Sequence, residues 1–334
     1  MPSLHRSKKI ISCRTALCLL LSVSLICGTF ALKGCAYSTQ RKTQTGFYLN
    51  TVISITLYGK NIPDQLLEGC MELADTYEHL FSRTLEGSDI WNINHSEGDP
   101  VWVHDETRDL LSIALSYAEM SDGLVDPTIG SLSALWNFGD KNQGIVPSSE
   151  EIAHALSHVN YKNVVIDGNH VILTDPEAKL DLGFIAKGYI ADRIKEYLLE
   201  NHVSSAIINL GGNVLTIGQK PDQTPFKVGI QKPFADTGTS VLTLDIQDKS
   251  LVSSGNYERY FIKDDVLYHH ILSPLNGYPA RSGLSAVTII SDRSVDGDAL
   301  STLCFLLGYE KGKELTDSLQ GVEAVFISED GTIL

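Results

Sequence analysis

The sequence predicts an α+β fold, in which a single mixed domain follows an N-terminal targeting segment. Helical and strand-like patterns are interspersed instead of alternating strictly, which favours α+β over a doubly wound parallel sheet. The roughly 300 residues after the targeting segment could form two domains by length alone. Because no linker, low-complexity tract or repeat interrupts Phe47 to Leu334, we expect one domain over residues 46–334.

Amphipathic or apolar runs predict the helices. Apolar side chains from Leu66 to Phe81 recur at helical spacing after Asp64, a suitable N-cap residue. Ser148 and Glu151 have the spacing of a capping box and open another helix. The predicted helices cover residues 64–81, 106–120, a segment that begins at 148, 190–203 and 299–307.

Segments rich in β-branched and aromatic residues predict the strands. Asp167-Gly168-Asn169 has the signature of a hairpin turn, and Asp264-Asp265 separates two further segments that pair naturally. Residues 82–98 are polar and are expected to be irregular. The predicted strands cover residues 47–58, 163–166, 170–174, 206–210, 214–217, 226–231, 241–246, 257–263, 266–272, 286–291 and 324–328.

The first 34 residues have the pattern of a secretory signal. Basic residues precede an almost wholly apolar or small run from Ala16 to Ala31, which is short for a membrane-spanning helix. Leu32-Lys33-Gly34-Cys35 resembles a bacterial lipobox, which predicts lipidation of Cys35; an uncleaved N-terminal anchor is the alternative. Both place the domain outside the cytoplasm, on the periplasmic or cell-surface side of the cytoplasmic membrane, with polar residues 35–45 as a tether.

The charge of the mature chain excludes one large class of partners. Removal of residues 1–34 leaves 21 basic against 41 acidic residues, a net charge of −20. Such a surface repels nucleic acid, so we expect no nucleic-acid function. An anionic ligand needs local cations or a metal to be held.

Cysteine usage gives no sign of a disulfide framework. Only Cys70 and Cys304 follow the lipobox, and both lie in apolar helical patterns. They are interpreted as core cysteines rather than as metal ligands. A disulfide between the two is the alternative.

The stretch from Asp181 to Tyr189 combines an acid, two glycines and a lysine at a predicted loop-to-helix junction. Such a junction can bring backbone amides and a cation close to phosphates. The alternative is an ordinary helix start with a solvated lysine.

A second candidate is the segment from Asp296 to Thr302, which is expected to open a helix. Asp298 and Thr302 are four residues apart, so their oxygens share one face of the first turn. A carboxylate and a hydroxyl suit a hard cation such as Mg²⁺. The alternative is an N-cap aspartate with a buried threonine.

Three further segments have both a functional and a structural interpretation. Aromatic residues in Leu135–Gly139 could stack on a planar ring or form a local hydrophobic plug. The paired glycines of Asn209–Asn213 permit close backbone approach to a ligand or form a simple bulge. His269 and His270 point to opposite faces if they lie on a strand, so at most one enters a given pocket.

Taken in order, these segments resemble the FAD:protein FMN transferase family, the ApbE-like flavin transferases. The similarity runs from about Gly46 to the C-terminus; no single segment is specific, but their order is. The matching segments are Asp126-Pro127-Thr128-Ile129-Gly130, Leu135-Trp136 with Phe138-Gly139, Asp181-Leu182-Gly183 with Ala186-Lys187-Gly188-Tyr189, Asn209-Leu210-Gly211-Gly212-Asn213, Ser254-Gly255 with Tyr257-Glu258-Arg259-Tyr260, His270-Ile271 with Pro274 and Gly277-Tyr278-Pro279, and Asp298-Ala299-Leu300-Ser301-Thr302.

The resemblance implies a Mg²⁺-dependent enzyme outside the cytoplasm with a single α+β domain. Such enzymes transfer the FMN half of FAD to a Ser or Thr hydroxyl of a target protein and release AMP. The implied partners are FAD and a target flavoprotein or membrane redox subunit with a short Ser/Thr acceptor motif. Phosphoryl transfer of this kind depends mainly on charge neutralisation and positioning.

The resemblance also implies roles for single residues. Asp298 and Thr302 hold Mg²⁺, with a main-chain carbonyl at Phe184 as the third ligand. Lys187 and the amides around Gly183 face the phosphates. Phe184 stands where the family usually has a small residue.

The remaining implied roles concern the acceptor and the flavin nucleotide. His270 positions or deprotonates the acceptor hydroxyl, or steadies the leaving phosphate, so the expected catalytic residues are His270, Asp298 and Lys187. The 88–94 loop and the Leu135-Trp136 loop contact the flavin or the adenine. The expected contacts to the flavin nucleotide are Asn50, Ser82, Ala134, Leu135, Trp136, Asp181, Lys187, Ile271 and Leu272.

Other functions fit parts of the same pattern. An FAD pyrophosphatase would use water in place of the protein hydroxyl and release FMN and AMP. A non-catalytic flavin-binding lipoprotein would not require the pair Asp298 and Thr302. A generic solute-binding lipoprotein would favour a two-lobed alternating α/β pattern, which this sequence lacks.

Overall fold

The central feature of the fold is a seven-stranded antiparallel sheet. A computed structural model describes residues 40–139 and 144–334, and Gln40–Leu334 form one compact unit. The strands of this sheet lie in the order β1-β2-β6-β7-β10-β13-β14, with every neighbouring pair antiparallel. They are β1 (Arg41–Tyr48), β2 (Thr51–Tyr58), β6 (Ser205–Leu210), β7 (Asn213–Gly218), β10 (Ser250–Gly255), β13 (Leu284–Ser291) and β14 (Glu323–Ser328).

Three small sheets surround the large one. Their strands are β3 (Val101–Trp102), β5 (His170–Leu173) and β4 (Val164–Asp167) in one sheet, and the hairpins β8 (Phe226–Gln231) with β9 (Ser240–Ile246) and β11 (Tyr260–Lys263) with β12 (Val266–His269).

The helices pack mainly on one face of the large sheet. They are α1 (Asp64–Phe81), α2 (Asp89–Asn94), α3 (Asp105–Met120), α4 (Gly130–Trp136), α5 (Ser149–Ser157), α6 (Ala186–Glu200), α7 (Ser294–Leu307) and α8 (Tyr309–Ser318). Apolar side chains of α1, α3 and α6 meet those of β2, β6 and β7 in the largest core cluster. Val287 and Ile289 of β13 point to the α7 side, whereas Ala286 and Ile290 point to the β8–β9 hairpin on the other face. This alternation is what a strand covered on both faces requires.

The prediction of one mixed α+β domain is confirmed, as are most of its long elements. Helix α1 has the predicted bounds, although Pro63, not Asp64, occupies the N-cap position. Ser148 and Glu151 form the predicted capping box of α5. Within residues 40–139 and 144–334, no helix is both long and apolar enough to cross a membrane.

The structure of the first strand corrects two predictions, the tether at residues 35–45 and the single strand at residues 47–58. Residues 41–45 belong to β1, which pairs with β2 along its full length. Leu49 and Asn50, both with positive φ, form a two-residue turn between the strands. The signal segment 1–34, Cys35 and residues 36–39 lie outside the described residues.

Besides the first half of β1, five elements were not predicted: α2, α4, α8, β3 and β10. The segment 82–98 was expected to be irregular, but Ser88 accepts a hydrogen bond from the N–H of Trp91 and caps α2. The two domain cysteines, Cys70 and Cys304, are free and buried. They lie in separate core clusters, so the structure bears out the core interpretation and not the disulfide.

Candidate active site

The candidate site is organised by a close crossing of α6 and α7 at Gly188. A Cβ atom added to this glycine would lie 2.3 Å from the carbonyl oxygen of Ser294 and 2.6 Å from Cα of Val295. Both neighbours are backbone atoms that cannot rotate away. The absence of a side chain at Gly188 therefore sets the distance between the two helices.

At this crossing each helix caps the other with a carboxylate. Asp298 of α7 accepts a hydrogen bond of 2.8 Å from the N–H of Gly188, and the N–H of Lys187 also bonds to it. Asp192 of α6 accepts bonds of 2.8 and 2.9 Å from the N–H groups of Ser294 and Val295. These N–H groups belong to first helical turns and have no intrahelical partner. A carboxylate also interacts favourably with the positive end of a helix.

Asp298 therefore caps α6 instead of its own helix. The sequence placed Asp298 in the first turn of its helix, but α7 begins at Ser294, four residues earlier. The residue is only 3% exposed. Burial raises the pKa of its carboxyl, while the charge of Lys187 opposes that rise. A cation beside this carboxylate would offset part of its desolvation.

Thr302 lies one turn after Asp298, as expected. Its Oγ1 is 3.1 Å from Oγ of Ser254 on β10, which also lies 2.8 Å from Oγ of Ser301. Thr302 is half-buried, so its hydroxyl is not sealed in the core. Asp298, Thr302 and Ser254 thus place hard oxygen donors near one another.

Phe184 keeps a carbonyl oxygen that the helix does not use. Phe184 precedes Ile185, the N-cap residue of α6, so its carbonyl oxygen receives no hydrogen bond from that helix. The ring of Phe184 is half-buried and packs against two core clusters. The fold therefore accommodates a large side chain at this position.

The prediction that backbone amides of the Asp181–Tyr189 stretch face the phosphates is wrong in part. The N–H of Gly183 donates to Oδ1 of Asp181 at 2.9 Å, and that of Gly188 donates to Asp298. The N–H groups of Ile185 and Ala186 both donate to the carbonyl of Leu182. Lys187 is different: no carboxylate in the described ranges lies within 4.0 Å of its ammonium group. The ammonium group of Lys187, and not the amides of Gly183, Ile185, Ala186 and Gly188, is left for an anionic ligand.

His270 has a buried nitrogen without a partner. Its Nδ1 has no hydrogen bond within the described part of the chain, and its backbone N–H donates to the carbonyl of Arg259 at 3.1 Å. Burial holds the pKa of the ring well below 6.5, and the charges of Arg259 and Lys187 lower it further. His270 is therefore neutral at pH 7, and its buried Nδ1 has no hydrogen-bond partner among the described residues.

The two adjacent histidines have different environments, as predicted. His269 is buried, its Nε2 lies 2.9 Å from the carbonyl oxygen of Ala280, and its ring packs edge-on against Phe305. His269 is thus a structural residue. Of the two histidines, only His270 has a buried ring nitrogen without a hydrogen bond among the described residues.

Asp181 is fixed from three directions. Its carboxylate forms an ion pair of 3.1 Å with Nε of Arg83 and accepts the bond from Gly183. Its N–H donates to the carbonyl of Pro127 at 2.8 Å. The ion pair brings the segment that begins at Ser82 to Asp181. No local pattern around Arg83 indicated this contact.

Asn50 and Ser82 both lie in turns. Asn50 is exposed in the β1–β2 turn, and the next residue, Thr51, would meet a Cβ atom at Gly211 at 2.2 Å. The Asn50 turn and the Asn209–Asn213 loop are therefore neighbours. Oγ of Ser82 accepts a bond of 3.1 Å from the N–H of Leu85 and closes its own turn.

The structure contradicts the stacking role of the Trp136 ring. Trp136 is 2% exposed, its Nε1 donates to the carbonyl of Gly277 at 2.8 Å, and Phe138 and Tyr268 stack against it. It is the centre of a hydrophobic plug, the alternative interpretation. Ala134 is exposed and Leu135 half-buried on the same helix, so these two are accessible.

Ile271 and Leu272 also have buried side chains, each 6% exposed. Ile271 packs in the cluster of α7, and Leu272 packs in the Trp136 cluster. Contact between either residue and a ligand would have to use the backbone. The same correction applies to Ser88 and Asn94, which are buried and bonded within the protein.

Asn213, which follows the glycine pair of the Asn209–Asn213 segment, supports the site. Oδ1 of Asn213 accepts a bond of 2.7 Å from Oγ of Ser294, which in turn accepts from Oγ of Ser250 at 2.8 Å. This buried chain of bonds fixes the start of α7. Asn213 therefore positions Asp298 indirectly through the first turn of its helix.

Glu258 and Arg259 belong to one of the matching segments, but the sequence predicts no role for them. Arg259 lowers the pKa of His270, and Glu258 interacts with the charges of Lys187 and Asp298. Glu258 is exposed as a residue, but the protein around its carboxyl removes part of the solvation of the charged form and raises the pKa, while the charges of Lys187 and Arg259 oppose that rise. Lys187, His270 and Asp298 thus form one electrostatic group, to which Glu258 and Arg259 also belong.

Two surface recesses lie away from Lys187 and Asp298. One, of about 410 Å³, is lined by residues between Leu267 and Arg281 together with Leu306. The other, of about 530 Å³, lies between α3 and β4. Neither is lined by Lys187 or Asp298.

The chain is similar to proteins of one known family. A model of the ApbE family matches residues 49–326. The FAD:protein FMN transferase of Klebsiella pneumoniae (strain 342) is 37% identical over 289 residues, which cover 86% of this chain and 89% of that protein. The FAD:protein FMN transferase of Treponema pallidum (strain Nichols) is 33% identical over 327 residues, covering 92% and 90%.

Solved structures give the same result. The ApbE protein from Thermotoga maritima matches with a TM-score of 0.81 at 36% identity, covering 88% of this chain and 96% of that one. The apo flavinyl transferase ApbE of Pseudomonas stutzeri matches with a TM-score of 0.78 at 27% identity, covering 89% and 94%. The resemblance found in the sequence is confirmed, and the chain belongs to the ApbE family.

Proposed function

We propose that this chain transfers the FMN moiety of FAD to a Ser or Thr hydroxyl of a target protein and releases AMP, with Mg²⁺ bound at Asp298. The observation that carries the proposal is the α6–α7 crossing. There a buried carboxylate lies against the backbone of Lys187, whose ammonium group has no ion-pair partner among the described residues. The names of the relatives support the transferase activity.

The oxygen donors at the crossing fit Mg²⁺. We assign the carboxylate of Asp298, the hydroxyl of Thr302 and the carbonyl of Phe184 as its ligands. The Asp298 carboxylate is already held by two amides. The Phe184 carbonyl precedes the N-cap of α6 and has no donor within that helix. A magnesium ion at these donors would neutralise charge on the pyrophosphate.

Lys187 and His270 have separate tasks in this mechanism. The hydroxyl oxygen of the acceptor attacks the phosphorus of the FMN phosphate, and the bond from that phosphorus to the AMP oxygen breaks. Lys187 stabilises the negative charge on the phosphates. The neutral ring of His270, with its unpartnered Nδ1, accepts the hydroxyl proton or steadies the leaving phosphate.

The experiment is a labelling assay. The purified protein is incubated with FAD, Mg²⁺ and a protein that bears an acceptor motif, and covalent flavin fluorescence is read on a denaturing gel. We expect Asp298→Ala to abolish labelling and Lys187→Ala to weaken it. Lys195→Ala, on α6 but outside the crossing, serves as the control.

Each other outcome has a defined meaning. Release of FMN and AMP without labelled protein indicates a pyrophosphatase, and no turnover at all indicates a flavin-binding protein. Full labelling by Asp298→Ala would overturn the metal assignment.

We also propose that the enzyme works outside the cytoplasm, held to the membrane by a lipid on Cys35. The signal pattern of residues 1–34 and the lipobox-like segment support this placement. The natural acceptor is then a flavoprotein or membrane redox subunit on the same side of the membrane. Cys35→Ala is expected to abolish lipid labelling of the chain; unchanged lipid labelling of this variant would contradict the assignment.

A further inference from the structure

Three metal-binding side chains converge outside the Asp298 site. His154 lies on α5, His158 is the residue that ends this helix, and Glu177 follows the β4–β5 hairpin. Their donor atoms all lie within 4.8 Å of one another. Nε2 of His158 lies 3.6 Å from Oε2 of Glu177, and Nε2 of His154 lies 3.8 Å from the same oxygen.

One of the histidines is oriented by a further carboxylate. Oδ2 of Asp175 lies 2.9 Å from Nδ1 of His158, which is half-buried. A proton on Nδ1 leaves the lone pair of Nε2 directed toward Glu177. Metal-bound histidines typically have such a carboxylate on their other nitrogen.

The backbone also fixes the position of Glu177. Its N–H donates to Oδ1 of Asp175 at 3.0 Å, and the N–H of Ala178 donates to the carbonyl of Asp175 at 3.1 Å. Ser131 of α4 donates through Oγ to the carbonyl of Glu177 at 3.2 Å. The turn that presents Glu177 is thus built by hydrogen bonds, and only the end of its side chain is free to move.

We propose that His154, His158 and Glu177 bind a zinc-class divalent cation, with water at the remaining coordination positions. In a tetrahedral zinc site the metal lies about 2.0–2.2 Å from nitrogen and oxygen ligands, so the donors are roughly 3.3 Å apart. The side chains of His154 and Glu177 are 68% and 64% exposed and can close the remaining distance by rotation. Imidazole nitrogen suits zinc, nickel or copper and not magnesium, which separates this site from the one at Asp298.

The position of the cluster suggests a structural role for the ion. The chain runs from Glu177 to Asp181 in four residues, and Lys179 between them accepts a bond of 2.9 Å from the N–H of Gly130. An ion at the cluster would tie this segment to α5.

The test is a zinc titration of the purified full-length protein by calorimetry in saturating Mg²⁺. We expect one equivalent of Zn²⁺ to bind, with a Kd at least tenfold higher in His154→Ala and in Glu177→Gln. Asp175→Asn, which removes the orienting carboxylate, is expected to raise the Kd by about 10–100-fold. His79→Ala is the matched control, because His79 is an exposed helix histidine 3.5 Å from Asp75 without a third ligand.

Two results would overturn the proposal. The first is the absence of binding up to millimolar Zn²⁺, which makes the cluster a set of surface ion pairs. The second is an unchanged Kd in both His154→Ala and Glu177→Gln, which places the ion elsewhere. Asp298→Ala is expected to keep the zinc affinity, so failure of the magnesium assignment and failure of this one are distinguishable.

Discussion

Substitution of Asp192 and Asp298 separates the structural role of a buried carboxylate from its chemical role. Each residue accepts two backbone N–H groups from the first turn of the opposite helix. In the proposed mechanism only Asp298 also binds the metal. The two therefore form a matched pair within one crossing.

The magnitude follows from the hydrogen bonds that are lost. Alanine at either position leaves two helix N–H groups without their acceptor, and the loss of an N-terminal cap costs about 0.5–2 kcal/mol. Asp192 is half-buried, so water can replace part of its bonds, whereas Asp298 is buried. We therefore expect a loss of about 1–2 kcal/mol for Asp192→Ala and about 2–3 kcal/mol for Asp298→Ala. Asparagine keeps one acceptor oxygen and should cost about half as much.

These stability changes depend on pH in a defined direction. Burial raises the pKa of both carboxyls, so the folded protein holds each proton more tightly than the unfolded chain. Each carboxyl therefore lowers stability as pH rises from about 4 through its folded-state pKa. The free energy of unfolding of the wild type should exceed that of either asparagine variant most near pH 4 and less at pH 7.

Two assays measure the two roles. Urea unfolding gives the free energy of unfolding for each variant, and flavin labelling of an acceptor protein gives the activity. At similar stability, Asp192→Asn should keep most of the activity, and Asp298→Asn should lose it by at least 100-fold. Equal loss of activity in both asparagine variants would refute a special chemical role for Asp298.

Two further predictions concern the same site. Gly188→Ala should destabilise the fold by about 1–2 kcal/mol, because the clash at 2.3 Å from a backbone oxygen outweighs the higher helix propensity of alanine, about 1 kcal/mol. Its control is Gly59→Ala, where the nearest atom is 3.8 Å away; equal stability of the two variants in urea would contradict the packing argument. The His270 ring should titrate well below 6.5 by NMR because it is buried, and a midpoint at or above 6.5 would show that it is solvated.

Local pattern predicted the elements whose stability is mainly local. The apolar spacing of α1 and the capping box of α5 are both contained within short segments. Strand β1 was missed because its side chains are mostly polar and partly exposed, and its strand conformation comes from pairing with β2. Strand β10 is rich in serine and is buried between β7 and β13. The sequences of β1 and β10 do not predict a strand by themselves, because the strand conformation of each depends on pairing with its neighbours in the sheet.

The site residues show the same division. The types and order of residues predicted Asp298 as a special carboxylate, but not that its bonds go to a helix 110 positions earlier in the sequence. The buried position of the Trp136 ring depends on a hydrogen bond to the carbonyl of Gly277, 141 positions away. Such contacts have no local pattern. Sequence therefore identifies which residues are unusual, and the fold decides which of their atoms are free.

The mutual capping of α6 and α7 gives a physical reason why a carboxylate can be kept charged at this site. An isolated buried carboxylate would be protonated, because desolvation disfavours its charged form. The amides of Lys187 and Gly188 stabilise the charged form of Asp298 from one side. The Phe184 carbonyl precedes the N-cap of α6 and has no donor within that helix. A cation bound to the Asp298 carboxylate and to this carbonyl would add to the stability of the crossing.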